Sequence, residues 1–144
     1  MGQARDVVEQ CWSLFDAGRL DDAMQLCQPD VELAFPGGVA LVGPTAVKAL
    51  LDVFLTAFPD MQRDLHQVVE VGDTIAIEFT ETGVHSGPFR APDGQEIPPT
   101  GRTVVFDIVD VIKVRDGKIA SWHGYFDQLT FLVQLGLMPE PAAT

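Results

Sequence analysis

Four side chains that can exchange protons or donate hydrogen bonds lie close together near the C-terminal end of the sequence. Asp107, His123, Tyr125 and Asp127 interrupt two otherwise apolar runs, "VVFDIVDVIKV" and "KIASWHGYFD". A carboxylate beside an imidazole holds it in one tautomer, and a phenol can donate a hydrogen bond to a developing oxyanion. A carboxyl group in an apolar cavity becomes a useful acid or base near neutral pH. These four side chains are therefore the predicted catalytic residues, for proton transfer next to a carbonyl group.

The turn "VRDGKI" decides which side chains of the two runs share a face. A two-residue turn at 116–117 pairs Asp110 with His123, whereas a three-residue turn at 115–117 pairs Val109 with His123. The glycine at the end of the turn suits a position with positive φ and favours the three-residue form. Its predicted pocket face then carries Val105, Asp107, Val109, Val111, Ser121, His123, Tyr125 and Asp127. From this face we expect Val105, Val109 and Ser121 to contact a substrate.

Each candidate also has a purely structural interpretation, and these alternatives stay open at this stage. Asp127 precedes the last predicted helix and could be only its N-cap. His123 could be a core histidine with satisfied hydrogen bonds, and Tyr125 could be a packing residue. Asp110 is expected to pair with a lysine or arginine or to lie at a subunit interface.

A second candidate region is the segment 80–102, which is rich in glycine and proline and long enough to cover a pocket. His85 leads into this segment, and Glu78 lies on the strand before it. Both are predicted to bind substrate, together with Trp12 of the first helix. Glu78 and Glu81 lie on opposite faces of that strand, so either one could reach the cavity, and for Glu81 we favour a solvated surface position.

Apolar periodicity predicts the elements that position these residues. Residues 3–17 and a segment starting at Pro44 have the spacing of amphipathic helices, and a short helix follows Leu20. Residues 31–35 alternate like a strand, and four β-rich runs and a short helix make up the second half. The order α-α-β-α-β-β-β-β-α predicts an α+β fold. We expect one domain, residues 1–144 with a loose tail at 139–144, in which a curved, mostly antiparallel sheet wraps around the N-terminal helices and leaves a pocket.

Composition limits the partners of this domain. The 144 residues include 9 basic and 21 acidic side chains, a formal net charge of −12, which disfavours nucleic acid and anionic membranes. Two cysteines outside any CxxC pair, and scattered histidines, predict neither a disulfide framework nor a metal site, so we expect a cytoplasmic protein without a cofactor. Because both faces of the final hairpin are apolar, we also predict a homodimer that covers one of them.

Several segments resemble the SnoaL-like polyketide cyclase family of the nuclear-transport-factor-2-like superfamily: "AFPDM" (57–61), "GDTIAIEFTETGVHSGPF" (72–89), "IPPTGR" (97–102), "VIKVRDGKIASWHGYFD" (111–127) and "LVQLGLMP" (132–139). The resemblance implies a cone-shaped α+β fold with a deep pocket, usually dimeric. In the family, an aspartate on the final strand is the acid/base and a histidine on the preceding strand assists it. The matching positions here are His123 and Val109, so the pair is not reproduced.

Three functional hypotheses follow. The first is an enzyme of the cyclase, isomerase or lyase type that uses general acid/base chemistry on an apolar, carbonyl-bearing small molecule, with His123 as base. The second is an epoxide-hydrolase-type enzyme, which requires Asp107 and Asp127 to converge on one water, ideally with Arg102 nearby. The third is a small-ligand binding module whose polar groups are all paired with one another. One fold can host all three, so the site must decide between them.

Overall fold

The computed structural model describes residues 2–90 and 94–139, and these residues form four helices and eight strands. The helices are α1 (Gln3–Asp16), α2 (Leu20–Met24), α3 (Pro44–Ala57) and α4 (Gln128–Gln134). The strands are β1 (Cys27–Phe35), β2 (Val39–Val42), β3 (Gln62–Val71), β4 (Thr74–Val84), β5 (Phe89–Arg90), β6 (Glu96–Ile97), β7 (Thr103–Arg115) and β8 (Lys118–Phe126). Most of the predicted loose tail, residues 140–144, lies outside the described residues.

The long helices form where the apolar stripes predict them. On α1 the stripe buries Val8, Cys11 and Trp12. Pro44 is the first residue of α3. Its fixed φ suits the first turn of a helix, and an N–H at this position would have no partner within the helix, so its absence costs nothing. None of the helices in the described part of the chain is long and apolar enough to cross a membrane.

Six strands form one sheet in the order β2-β1-β8-β7-β4-β3. Only β1 and β8 pair in parallel, and the other neighbours are antiparallel. This architecture confirms the predicted α+β class with a curved, mostly antiparallel sheet. Two additions were not predicted: β2, which forms a hairpin with β1, and the short pair β5–β6 inside the segment 80–102.

The central strand β7 shows which face of the sheet the helices cover. Its residues alternate between buried and exposed from Thr103 to Asp110, and the buried series is Val104, Phe106, Ile108, Asp110, Ile112 and Val114. Successive strand residues point to opposite faces, so these side chains lie on the concave face, against the helices. Val105, Asp107 and Val109 lie on the opposite, convex face.

The β7–β8 turn differs from the predicted one. Arg115 pairs with Lys118 across a two-residue turn, with positive φ at Asp116 (52°) and Gly117 (76°). The predicted three-residue turn is therefore wrong. A register shift beyond the turn then pairs Val111 with His123. Because the observed and predicted registers differ by two residues, the side chains still sort into the predicted faces, but the face that carries His123 is the convex one.

Gly87 joins the segment after β4 to the end of α3. The backbone N–H groups of Ser86 and Gly87 both donate to the carbonyl oxygen of Ala57. This contact satisfies a carbonyl at the C-terminal end of α3. A Cβ atom at position 87 would lie 1.9 Å from the Thr56 carbonyl oxygen, so the contact requires glycine.

Gly87→Ala should therefore destabilise the protein by about 3 kcal/mol, because the backbone must move to relieve the clash. Gly38→Ala is the control, because Gly38 has a positive φ of 78° but open space around its Cα. Its cost should be about 1–2 kcal/mol, from the left-handed backbone alone. Urea unfolding measures both, and equal losses would contradict the steric argument.

Candidate active site

A cavity opens between the concave face of the sheet and the helices α1 and α3. The space inside it that the centre of a water-sized sphere can occupy is about 80 Å³. Its walls are mainly aromatic, and three ionisable groups interrupt them. The lining residues are Trp12, Phe15, Phe35, Leu51, Phe54, Arg63, Phe79, Glu81, Phe106, Ile108, Asp110, Trp122 and Phe126.

Asp110 is the most deeply buried ionisable group in this cavity. It lies on the concave face of β7 and is 3% exposed. Burial raises the pKa of its carboxyl group to about 7, an effect that the indole N–H of Trp122 opposes. The negative charge of Glu81 adds to the rise, and the positive charge of Arg63 opposes it. Both protonation states of Asp110 are therefore populated near neutral pH, as acid/base catalysis requires.

Gly124 leaves Asp110 open to the cavity. The two residues are direct partners across the β7–β8 ladder. A Cβ atom at position 124 would lie 2.9 Å from Asp110 Oδ1 and 2.6 Å from Cε1 of Phe35. The absence of a side chain therefore makes room for both the carboxyl group and the aromatic ring beside it.

Trp122 supplies a buried hydrogen-bond donor near Asp110. The residue is 7% exposed, and its Nε1 has no hydrogen-bond partner among residues 2–90 and 94–139. Its influence on Asp110 is therefore electrostatic, through a contact longer or more bent than a regular hydrogen bond.

Arg63 and Glu81 form a second polar group in the wall. The Arg63 Nε and a Glu81 carboxylate oxygen are 3.6 Å apart, and the guanidinium also binds Asp16 on α1. The guanidinium stacks on Trp12, 4.5 Å from the ring centroid, which fixes its position. Burial raises the pKa of Glu81, and Arg63 opposes this rise.

The structure places three of the predicted catalytic residues away from the cavity. Asp107 is exposed on the convex face and accepts a hydrogen bond of 2.6 Å from the Thr80 hydroxyl. Tyr125 is 57% exposed, and His123 is half-buried and lines an open depression on the same face. The predicted face therefore borders this depression and not the aromatic cavity, because the helices cover the other face of the sheet.

Asp127 is the N-cap of α4, the structural alternative left open by the sequence. Its carboxylate accepts hydrogen bonds from the Thr130 backbone N–H (3.1 Å) and hydroxyl (2.7 Å). These bonds lower the pKa of Asp127, so it favours the ionised form. Asp107 and Asp127 are each held by a threonine and neither lines the cavity, so the carboxylate pair required by the epoxide-hydrolase hypothesis is not formed there.

The predicted binding residues divide between the two faces. Trp12 lines the cavity, as expected for a substrate contact. Val105 and Val109 are 48% and 37% exposed on the convex face, and Ser121 borders the depression beside His123. Glu78 pairs with Val109 and is exposed there too. These four side chains do not reach the cavity.

His85 is fully buried outside the cavity wall. Its Nδ1 accepts the Thr100 backbone N–H at 3.2 Å, which leaves the proton of the neutral ring on Nε2. Burial lowers the pKa of His85, although the Gly87 carbonyl opposes this, so the ring favours the neutral form. The ring packs on Phe58, with centroids 5.5 Å apart. These contacts fit a structural role in holding the segment after β4.

Sequence reasoning missed three cavity residues: Asp110, Glu81 and Arg63. Asp110 was expected at a salt bridge or interface, and the expected surface position of Glu81 is wrong. One signal in the sequence could have identified Asp110. It shares a strand face with Phe106 and Ile108, and large apolar residues mark the face that the helices cover better than valines do. Among the described residues, no group of three or more His, Cys, Asp or Glu side chains is arranged to hold a metal ion.

The fold and the cavity define a class: an α+β cone with an internal carboxylic acid. Residues 3–135 match the model of the SnoaL-like polyketide cyclase family, and the chain belongs to that family. This confirms the resemblance seen in the sequence. A comparison with curated protein sequences finds no significant match.

Solved structures with the same fold come from several bacteria. A putative hydroxylase, AclR from Streptomyces galilaeus, is 22% identical with a TM-score of 0.80, covering 99% of this chain and 90% of its own. IdmH, a putative polyketide cyclase from Streptomyces antibioticus, is 27% identical with a TM-score of 0.74, covering 93% and 99%. TerC, crystallised with polyporic acid, is 20% identical with a TM-score of 0.72, covering 93% and 98%.

The raised pKa of Asp110 predicts a pH dependence of stability. Between its ordinary pKa of 3.8 and about 7, the unfolded chain releases this proton while the folded protein keeps it. The free energy of unfolding therefore falls across this range by up to about 4 kcal/mol, and the contribution is fully present only below pH 4. In Asp110→Asn this contribution is absent.

Urea unfolding of both proteins between pH 4 and pH 8 measures this effect. The free energy of unfolding of Asp110→Asn, minus that of the wild type, should rise with pH and level off above about pH 7. Taking the difference removes the other titrating groups. A difference that stays constant over the range would show that the pKa of Asp110 is not raised.

Proposed function

We propose that this protein is an acid/base enzyme of the polyketide cyclase type, in which Asp110 moves a proton on an apolar, carbonyl-bearing small molecule. One observation carries the proposal: a carboxyl group with a pKa of about 7 faces an aromatic cavity and has no ion-pair partner within 4 Å among the described residues. A family of polyketide cyclases and neighbours of similar fold support the general class.

The chemistry needs only the side chain and the substrate. The Asp110 carboxylate removes a proton from the carbon next to a carbonyl; the electron pair of the C–H bond forms a C=C bond, and the π pair of the carbonyl moves onto its oxygen. The enolate then attacks a second carbonyl or is reprotonated at carbon, and Asp110 returns its proton to the product. Aromatic walls exclude water from the reacting atoms, which keeps the enolate from being quenched by solvent.

Glu81 and Arg63 adjust the pKa of Asp110 but take no part in the proton transfer. The charge of Glu81 raises the pKa of Asp110, and Arg63 partly cancels this effect. Because Asp16 and Glu81 both bind the guanidinium, Arg63 is a weak partner for Asp110. Glu81 and Arg63 together therefore help to keep the pKa of Asp110 near neutral pH.

Two polar groups distinguish this proposal from the binding-module hypothesis. That hypothesis requires all polar groups of the pocket to be paired with each other. Asp110 has no ion-pair partner within 4 Å and Trp122 Nε1 has no hydrogen-bond partner in the part of the chain that the structure describes. Both groups can therefore act on a ligand.

Asp110→Asn should lower proton exchange at the α-carbon of a cyclic ketone by at least about 100-fold, the usual effect of losing a general base. The measurement is deuterium incorporation into 2-tetralone in D₂O, followed by NMR. Asp107→Asn is a matched control, because it removes a carboxylate from the convex face of the same strand. We expect exchange in wild type to increase as Asp110 ionises, with a midpoint near pH 7.

Equal losses in both variants would show that the fold is disturbed rather than the acid removed. A loss confined to Asp107→Asn would restore the convex face as the active site. An unaffected Asp110→Asn variant would remove Asp110 from the mechanism.

We also propose that the convex face forms a homodimer interface with a second copy of the chain. Val105 and Val109 of β7 and Tyr125 of β8 are 48%, 37% and 57% exposed on this face, on adjacent strands. Val69 of β3, which is 46% exposed, lies on the same face beyond β4. Exposed apolar surface of this kind commonly marks a subunit interface.

Val109→Lys should therefore shift the protein toward a monomer in light scattering, because a lysine would have to be desolvated at the centre of the interface. Val42→Lys is the control, since Val42 is 67% exposed on the edge strand β2. A wild-type protein that is monomeric, or a Val109→Lys variant that remains dimeric, would contradict this interface.

A cytoplasmic location is part of the same proposal. Cys11 and Cys27 are both buried and free. Two buried free thiols are typical of proteins in a reducing compartment.

A further inference from the structure

The indole N–H of Trp122 is a buried donor that makes no regular hydrogen bond within the part of the chain that the structure describes. Trp122 is 7% exposed, and Nε1 has no hydrogen-bond partner among the described residues. Native proteins leave few such groups, and each one calls for an explanation. The Trp122 side chain also lines the cavity, as does Asp110, the carboxyl group on which this N–H acts.

The pairing of β7 and β8 places Trp122 and Asp110 side by side. Asp110 pairs with Gly124, two residues from Trp122, so the two side chains are diagonal neighbours on the concave face. Gly124 puts no side chain next to them. The N–H and the carboxyl group therefore border the same part of the cavity.

We propose that the Trp122 N–H and the Asp110 carboxyl group together bind one ligand oxygen, that of a ketone that becomes an enolate or of a phenol. Trp122 is then a substrate-binding residue, and the ligand class is a planar molecule with an ionisable oxygen. This inference rests on the proposed function in one respect, namely that a carbonyl reaches Asp110.

The indole N–H of Trp122 has a role in the proton transfer, because the transfer moves negative charge. While Asp110 is ionised, the indole dipole interacts with the carboxylate. When Asp110 takes the proton from carbon, the negative charge moves to the ligand oxygen, and the new O–H of Asp110 becomes a second donor. The N–H then stabilises the charge at its new position, as an oxyanion donor does.

Aromatic rings next to Trp122 shape the space for a flat ligand. Phe35 contacts Trp122 edge-on at a centroid distance of 6.4 Å, and Phe126 contacts Phe35 at 6.2 Å. Such a cluster holds its rings in fixed orientations and offers apolar edges and faces to a planar ligand.

The test compares two probes of the same shape, 2-naphthol and naphthalene, only one of which carries the oxygen. Trp12 and Trp122 are the only tryptophans, so an ¹H–¹⁵N spectrum of the wild-type protein shows two indole signals. We expect 2-naphthol to move the Trp122 indole proton downfield, the direction of a newly formed hydrogen bond. Naphthalene should not do so, and the Trp12 signal should lack this oxygen-dependent shift.

Affinity measurements on variants give an independent readout. Trp122→Phe should weaken 2-naphthol binding about ten- to a hundred-fold more than it weakens naphthalene binding, the usual value of a hydrogen bond to a charged group. Trp12→Phe is the matched control, because it removes the same atoms from another wall of the cavity and should weaken both probes equally.

The outcomes separate this inference from the proposed function. If 2-naphthol binds without an oxygen-dependent shift of the Trp122 signal, or if neither probe binds, the inference is overturned. Loss of ketone exchange in Asp110→Asn would still support the proposed function in that case. If the Trp122 signal responds as expected but Asp110→Asn keeps full exchange activity, the oxygen site stands and the proposed chemistry fails.

Discussion

The carboxyl group of Asp110 lies inside an aromatic cavity and forms no ion pair with any residue that the structure describes, and the rest of the site depends on how that burial is sustained. A buried carboxylate loses its hydration, so its neutral form is favoured and its pKa rises to about 7. Such a position persists only in a wall rigid enough to keep water and counter-ions out. Edge-to-face contacts link Phe35, Phe54, Phe106 and Phe126 of that wall, and the buried Phe131 packs on Phe106 and Phe126 in the same way.

The fold could be predicted from the sequence because its signals are local. The helices α1 and α3 follow continuous apolar stripes, and the four long strands follow β-rich runs between glycine turns. The register of the β7–β8 hairpin was not predictable in the same way. It combines a two-residue turn with a register shift at Lys113 and Val114, and nothing in the run of residues marks that irregularity.

The site was less predictable because both faces of β7 and β8 are apolar in sequence. Alternation assigned each side chain to a face correctly, but it did not say which face the helices cover. The titratable residues Asp107 and His123 suggested one face as the pocket wall. The size of the apolar side chains indicates the other face: Phe106, Trp122 and Phe126 point to the interior, while Val105 and Val109 are exposed. Asp127 was likewise chosen as a catalytic residue because it is titratable. Its position before α4 explains it fully as the N-cap of that helix.

Arg63 explains why a cavity that contains a cation can still hold an acid with a pKa near neutrality. A direct arginine partner would lower the pKa of Asp110 and make it a poor proton acceptor. Instead, Asp16 and Glu81 bind the guanidinium, and Trp12 holds it by stacking. The arginine is thus neutralised within the wall, and its remaining effect on Asp110 is smaller than that of burial. The ion pairs of Arg63 with Asp16 and Glu81 therefore help to set the pKa of Asp110, and with it the strength of Asp110 as a base.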